Sequence, residues 1–179
     1  MFRIIPDSDE FASLQRPDEL EELLSSFFGN SSLRDVWPVG ASARLDKSGG
    51  RPIGDAPAWS RFPPVISPRA WEAMEGIISP HAEVLRLDVR EGRQTAHYRV
   101  LNVLTVLDCL DRAKSDIEFW PDSSDIMSLD SIVLKAEHAK ADLFRLSDFL
   151  TAVIVSERFR DEWERNSLTG MLFVPVQTT

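Results

Sequence analysis

The chain has 179 residues, 43% of them hydrophobic and 27% charged, the make-up of one globular domain long enough to bury its own core. A formal net charge of −9 argues against a binder that neutralises nucleic-acid phosphates and against an anionic membrane surface, and suits a basic protein partner. With Cys109 as its one cysteine, the chain can form neither an internal disulfide nor a cysteine-built zinc site.

The opening residues, MFRIIPDSDEF, lack the basic start and apolar stretch of a secretory signal. No apolar run nears the roughly 20 residues that span a bilayer, so a cytosolic protein is expected. The first element expected is a helix over Pro17 to Phe28. Leu20, Leu23, Leu24, Phe27 and Phe28 recur at helical spacing. Pro17 suits the first position, Asp18, Glu19, Glu21 and Glu22 complement the positive end of the dipole, and Gly29 closes the helix. From Asn30 to Pro64 glycines and prolines punctuate the chain, predicting packed loop with short extended pieces that bury Trp37, Trp59 and Phe62.

Val65-Ile66 leads into a second helix, with Ser67 as its N-cap, Pro68 at its first position, and Trp71, Met74, Ile77 and Ile78 on its apolar face. Leu85, Leu87 and Val89 alternate with charged residues, predicting a half-buried strand. Gly92-Arg93 is a two-residue turn into a return strand over Gln94 to Leu101. Asn102 is expected to cap a third helix carrying Val103, Val106, Leu107 and Leu110 on one face. After an acidic stretch, Asp116 to Asp130, short strands are expected near Ile132 to Lys135, Leu143 to Leu146 and Ala152 to Val155. A helix over Glu157 to Arg165 follows, then Gly170 and a last strand, Met171 to Val176.

The order apolar pair, serine, Trp-bearing helix, strand occurs twice, from Val65-Ile66-Ser67 and from Ile154-Val155-Ser156. It reads either as an internal strand-helix-strand repeat or as chance recurrence of a common unit. The fold class expected is α+β, a mixed, largely antiparallel sheet with helices packed on it, in a single domain whose first 64 residues are the least defined part.

Candidate chemistry is sparse. Asp108 and Asp111, three apart on the expected third helix, would share a face and could hold a metal or act as acid and base. The plainer reading is structural, with Asp108 paired to Arg112 and Asp111 meeting Ser115, each at i+4. His81, His97 and His138 are scattered without ligand spacing, and no nucleophile–base pair or phosphate loop is visible. No cofactor and no catalytic residue is expected.

The segment YRVLNVLTVLDCLDRAKS, Tyr98 to Ser115, resembles a bacterial immunity-protein family of polymorphic toxin systems, immunity family eleven. The resemblance rests on an apolar run, then Asp108-x-x-Asp111-Arg112, then Ser115. Further pieces fall in the family's order: Phe144-Arg145-Leu146, Val155-Ser156-Glu157-Arg158, Leu168-Thr169-Gly170 and Phe173-Val174-Pro175-Val176, with Val65-Ile66-Ser67 upstream. It covers about residues 65 to 176. The resemblance implies a cytosolic protein encoded beside a toxin and neutralising it by direct binding. An adaptor or chaperone for a secreted effector is the other reading that binds without catalysis.

Two segments hold the whole negative excess, residues 1–30 and 108–142, each with a net charge of −5. Such runs are ordinarily solvated faces, and their functional reading is capture of a basic toxin surface. Glu118, Phe119, Trp120, Asp122 and Asp125 are the sharpest candidates, with Glu21 and Glu22 from the first segment. Aromatic anchors within a charged rim suit a binding hot spot, although core packing is the ordinary fate of such a Phe or Trp. The stretch around Trp37 and Trp59 is held in reserve as another face.

Overall fold

The computed structural model describes residues 1–15, 20, 23, 26–27, 29–46, 50–59, 63–91 and 93–179. The strands before the first full helix are β1 (Phe2–Pro6), β2 (Ser13–Gln15), β3 (Ser42–Asp46) and β4 (Val65–Ile66). Helix α1 (Pro68–Ile78) leads to β5 (Ala82–Glu91), β6 (Gln94–Val103), β7 (Val106–Leu107), β8 (Asp116–Phe119) and β9 (Ile126–Ser131). Then come β10 (Val133–Leu134), β11 (Leu143–Leu146), β12 (Phe149–Val155), helix α2 (Glu157–Arg165), β13 (Met171–Pro175) and β14 (Gln177–Thr178). Of the helix expected over Pro17 to Phe28, the described residues Leu20, Leu23, Ser26 and Phe27 are helical; the rest of it lies outside the described residues, as do Phe62 and Gly92.

The first sheet has the order β2-β3-β5-β6-β4 and the second β13-β1-β12-β11-β7. Both mix parallel and antiparallel pairs, with antiparallel pairing dominant. The α+β class and the dominance of antiparallel pairing are as expected, but the single sheet is not: the strands divide between these two sheets and two two-stranded ones, β8–β9 and β10–β14. Strands β5 and β6 pair without a bulge from Ala82↔Val103 to Glu91↔Gln94, leaving two residues for the turn. Along β5 the inward side chains are Glu83, Leu85, Leu87 and Val89, the alternation legible in the sequence.

Both helices start as the sequence suggests. Ser67 Oγ accepts from the Ala70 amide at 3.0 Å, and Ser156 Oγ from the Phe159 amide at 3.2 Å. Each cap is worth about 1 kcal/mol. Ala70, Met74, Ile77 and Ile78 bury one face of α1. Phe159 and Trp163 do the same for α2, their rings stacked at 6.3 Å with Phe173 against them. The two helices pack on each other.

In both helical units the strands flanking the helix run parallel with one antiparallel strand between them, β6 between β4 and β5, β1 between β12 and β13. Beyond that the sheets differ, since β5 next meets parallel β3 and β12 next meets antiparallel β11. The repeat is therefore not established by the topology.

The third helix is not there. Residues 102–110 finish β6, form β7 and end in a bridge from Leu110 to Leu134. The Thr105 carbonyl takes the Arg145 amide and the Leu107 carbonyl the Ser147 amide, so β7 lies along β11. Val103, Val106, Leu107 and Leu110 have helical spacing, but pairing with β11 overrides it, as tertiary context often does for Val-rich runs. Asn102 is no cap: it is fully buried, and its Nδ2 donates to the Ser31 carbonyl and to Glu83 Oε2.

One large hydrophobic core lies between the first sheet, the helices and one face of the second sheet. A smaller core lies on the other face of the second sheet, where Phe144, Leu146, Ala152 and Ile154 meet Cys109, Leu110, Ile126, Leu129 and Leu134. That second core is roofed by the antiparallel pair β8–β9 and the parallel pair β10–β14.

Candidate functional site

The roof over the second core carries the acidic stretch. Strands β8 and β9 pair with two irregularities in register, after Asp116 and after Glu118. Ile126 and Leu129 bury themselves beneath, and Ile117 packs partly against the same cluster. That anchors the hairpin and leaves its other face to solvent. The loop from Trp120 to Asp125 closes through Trp120 N–H to the Asp125 carbonyl at 3.0 Å and Ser123 N–H to the Trp120 carbonyl at 3.1 Å. Asp122 takes a left-handed φ of 59°, which a short polar side chain tolerates.

Glu118, Phe119, Trp120, Asp122 and Asp125 are all exposed. Phe119 is 43% and Trp120 55% exposed, so core packing, the ordinary fate, does not hold for either. Glu118 accepts from Ser128 Oγ across the hairpin at 3.2 Å. The structure thus gathers five of the sequence-selected residues at one end of one hairpin. Glu21 and Glu22 lie outside the described residues. The reserve face is mostly core: Trp59 is buried, and Trp37 packs edge-on against Phe27 and donates Nε1 to the Arg86 carbonyl.

The Asp108–Arg112 segment is organised differently from the sequence reading. Without a helix, Asp108 and Asp111 share no helical face. Arg112 pairs with Asp148 rather than with Asp108, which is exposed. Ser115 does meet Asp111, but through the backbone: its Oγ donates to the Asp111 carbonyl at 2.8 Å and accepts from the Val133 amide at 3.0 Å. The Asp111 amide bonds the Val133 carbonyl and the Lys135 amide the Cys109 carbonyl. The segment is thereby tied to β10, and the Asp111 carboxylate lies 3.7 Å from Lys114 Nζ.

Among the described residues no three His, Cys, Asp or Glu side chains stand together as a metal site. His81 meets Thr105 Oγ1, His97 meets Asp88 and Arg86, and His138 meets Glu137, each in a different part of the molecule. The Cys109 thiol is buried, and burial, helped by Asp108 and Asp148, pushes it up to about 11, so it stays protonated and unreactive at neutral pH. No helix among the described residues is long and apolar enough to cross a membrane.

Among the described residues three buried charges, whose burial the sequence did not reveal, hold loops in place. Arg145 is fully buried on β11 and donates to the Phe27 carbonyl at 2.6 Å, the Gly29 carbonyl at 2.9 Å and Asn30 Oδ1 at 3.3 Å. Burial pulls its guanidinium down to about 10. Glu83 accepts from Ser32 Oγ, the Leu33 amide and Asn102 Nδ2. Asp55 accepts from Ser67 Oγ, Arg69, and the amide and hydroxyl of Thr169. Burial raises both carboxyls, but these donors outweigh it and leave each below its ordinary value. The one available signal was an arginine between apolar residues in Phe144-Arg145-Leu146.

No curated protein matches the chain. Among protein families, residues 10–178 match Imm11, an immunity protein family, so the likeness reaches well into the first 64 residues. The chain belongs to the Imm11 immunity protein family.

Proposed function

We propose that this protein neutralises a cognate toxin by stoichiometric binding in the producing cell's cytoplasm, without catalysis, and that the β8–β9 hairpin meets the toxin. The family supports an immunity role. The observation that carries the choice of face is the exposed Phe119-Trp120 pair set among Glu118, Asp122 and Asp125. Buried aromatic anchors with a charged rim concentrate binding energy, and a rim of one sign speeds capture of an opposite partner. A basic toxin surface is therefore the expected counterpart.

The experiment is titration calorimetry with the toxin encoded beside this chain, together with inhibition of that toxin's activity. A one-to-one complex that silences the toxin supports the reading. A complex that leaves the toxin fully active points instead to an adaptor, and turnover of a toxin-modified target by this protein alone would mark an enzyme.

A further inference from the structure

The roof over the second sheet covers only half of that face. Strands β11 and β12 send Phe144, Leu146, Ala152 and Ile154 beneath it. On β1 and β13 the same face carries Arg3, Ile5, Leu172 and Val174, because Arg3 stands opposite both Ile154 and Val174, and Ile5 opposite Leu172. Phe2 and Phe173 point the other way, into the large core. Leu172 and Val174 are each 43% exposed. With Ile5, Pro6 and Ala58 they floor an open concavity of about 520 Å³.

Acidic charge flanks this apolar ledge at one end. Asp7 and Asp9 line it at the end of β1. On the other side Arg3 lines the concavity with its Nη1 turned to the Leu129 carbonyl at 3.1 Å, which brings the Leu129 backbone of β9 beside the ledge. The acidic residues at this apolar surface are Asp7 and Asp9, from the 1–30 stretch with a net charge of −5.

We propose that this ledge is a second docking surface for a basic polypeptide, seating an apolar centre on Leu172, Val174 and Ile5 with lysines or arginines facing Asp7 and Asp9. It rests on the toxin-binding reading and assigns that partner a second contact face. A second copy of this chain is a poor occupant: ledge against ledge would bring acidic rims and two net charges of −9 together.

The test uses two probes on the full chain. The first is a short peptide of alternating lysine and valine, with an alternating glutamate–valine peptide as control, followed by backbone amide NMR. The second is the toxin encoded beside this chain, with the variants Leu172→Ser/Val174→Ser and Asp7→Asn/Asp9→Asn, their folding checked by melting temperature. Expected are amide shifts at residues 3–9 and 171–175 with the basic peptide only, weakened by salt. Toxin affinity is expected to fall about tenfold or more in the leucine–valine variant. Wild-type affinity in both folded variants would overturn the proposal while leaving toxin neutralisation intact. So would dimerisation of the free protein that Leu172→Ser abolishes. If the wild-type chain fails to bind the toxin, the functional reading fails instead, and the peptide shifts alone decide whether the ledge takes basic segments.

Discussion

Gly54 packs on Gly170 so tightly that a Cβ built on Gly54 would stand 2.9 Å from the Gly170 Cα, and as close to the Phe11 ring. Gly170 itself has a φ of +84°, and a Cβ there would meet the Ala56 backbone at 3.0 Å. This contact brings the segment after α2 against the segment before α1. Gly170→Ala is expected to lower stability by about 1–3 kcal/mol through left-handed strain and the Ala56 clash. Chemical denaturation measures it; an unchanged midpoint would contradict the close packing.

Beside that contact, Asp55 joins the α1 N-terminus to Thr169. Its carboxyl is held below the ordinary 3.8. The stabilisation is therefore fully present above that value and is lost as pH falls through the lower, folded one. Asp55→Asn is expected to cost about 2 kcal/mol at neutral pH, an amount discounted because Arg69 is 58% exposed. The gap from wild type should close in strongly acid solution. Unfolding curves at neutral and acid pH check this, and a gap that persists at acid pH would remove the ionised carboxylate from the explanation.

Arg145 is expected to hold Phe27, Gly29 and Asn30 against β11. Arg145→Met keeps much of the volume but removes the guanidinium bonds to the Phe27 and Gly29 carbonyls, at an expected cost of about 2–4 kcal/mol. Hydrogen exchange should show faster amide turnover around residues 26–33 than around β5 and β6. Uniform acceleration across the chain would mean global destabilisation rather than release of this segment.

Ser115, rather than Asp108, should carry the structural weight of the Asp108–Ser115 segment. Ser115→Ala removes both bonds joining the Asp111 carbonyl to the Val133 amide and is expected to cost about 1–2 kcal/mol. Asp108→Asn, at an exposed position, should lie within about 0.5 kcal/mol of wild type. Paired melting experiments decide, and the reverse ranking would restore a role for the Asp108 side chain.

For the hairpin, charge and aromatic area should separate kinetically. Glu118→Gln/Asp122→Asn/Asp125→Asn is expected to slow association with the toxin, most at low salt, since rim charges act within a Debye length of about 8 Å. Phe119→Ser/Trp120→Ser should chiefly speed dissociation. Stopped-flow measurements at low and high salt read both rates. Unchanged rates in both variants would remove the hairpin from the interface.

Local signals in this chain were strong where a short segment decides its own conformation. Ser67-Pro68 and Ser156-Glu157 announce helix starts because a serine hydroxyl caps amides within three residues of itself. The alternation of Leu85, Leu87 and Val89 announces a one-side-buried strand because side chains along a strand alternate faces. The motif order from Val65 to Val176 was enough to mark the family. Pairing partners were different. Phe2–Pro6 was not expected as a strand, yet it is the strand between β12 and β13. Residues 102–110 carry a helical pattern, yet β11 supplies hydrogen bonds that make them extended. The acidic stretch could be counted from the sequence, but the solvent exposure of Phe119 and Trp120 could not, because it depends on Ile126 and Leu129 filling the core beneath them. Local spacing thus determined the helix caps and the β5–β6 hairpin, and resemblance in motif order marked the family; strand neighbours and exposure were decided by contacts between residues distant in the chain, which no local pattern encodes.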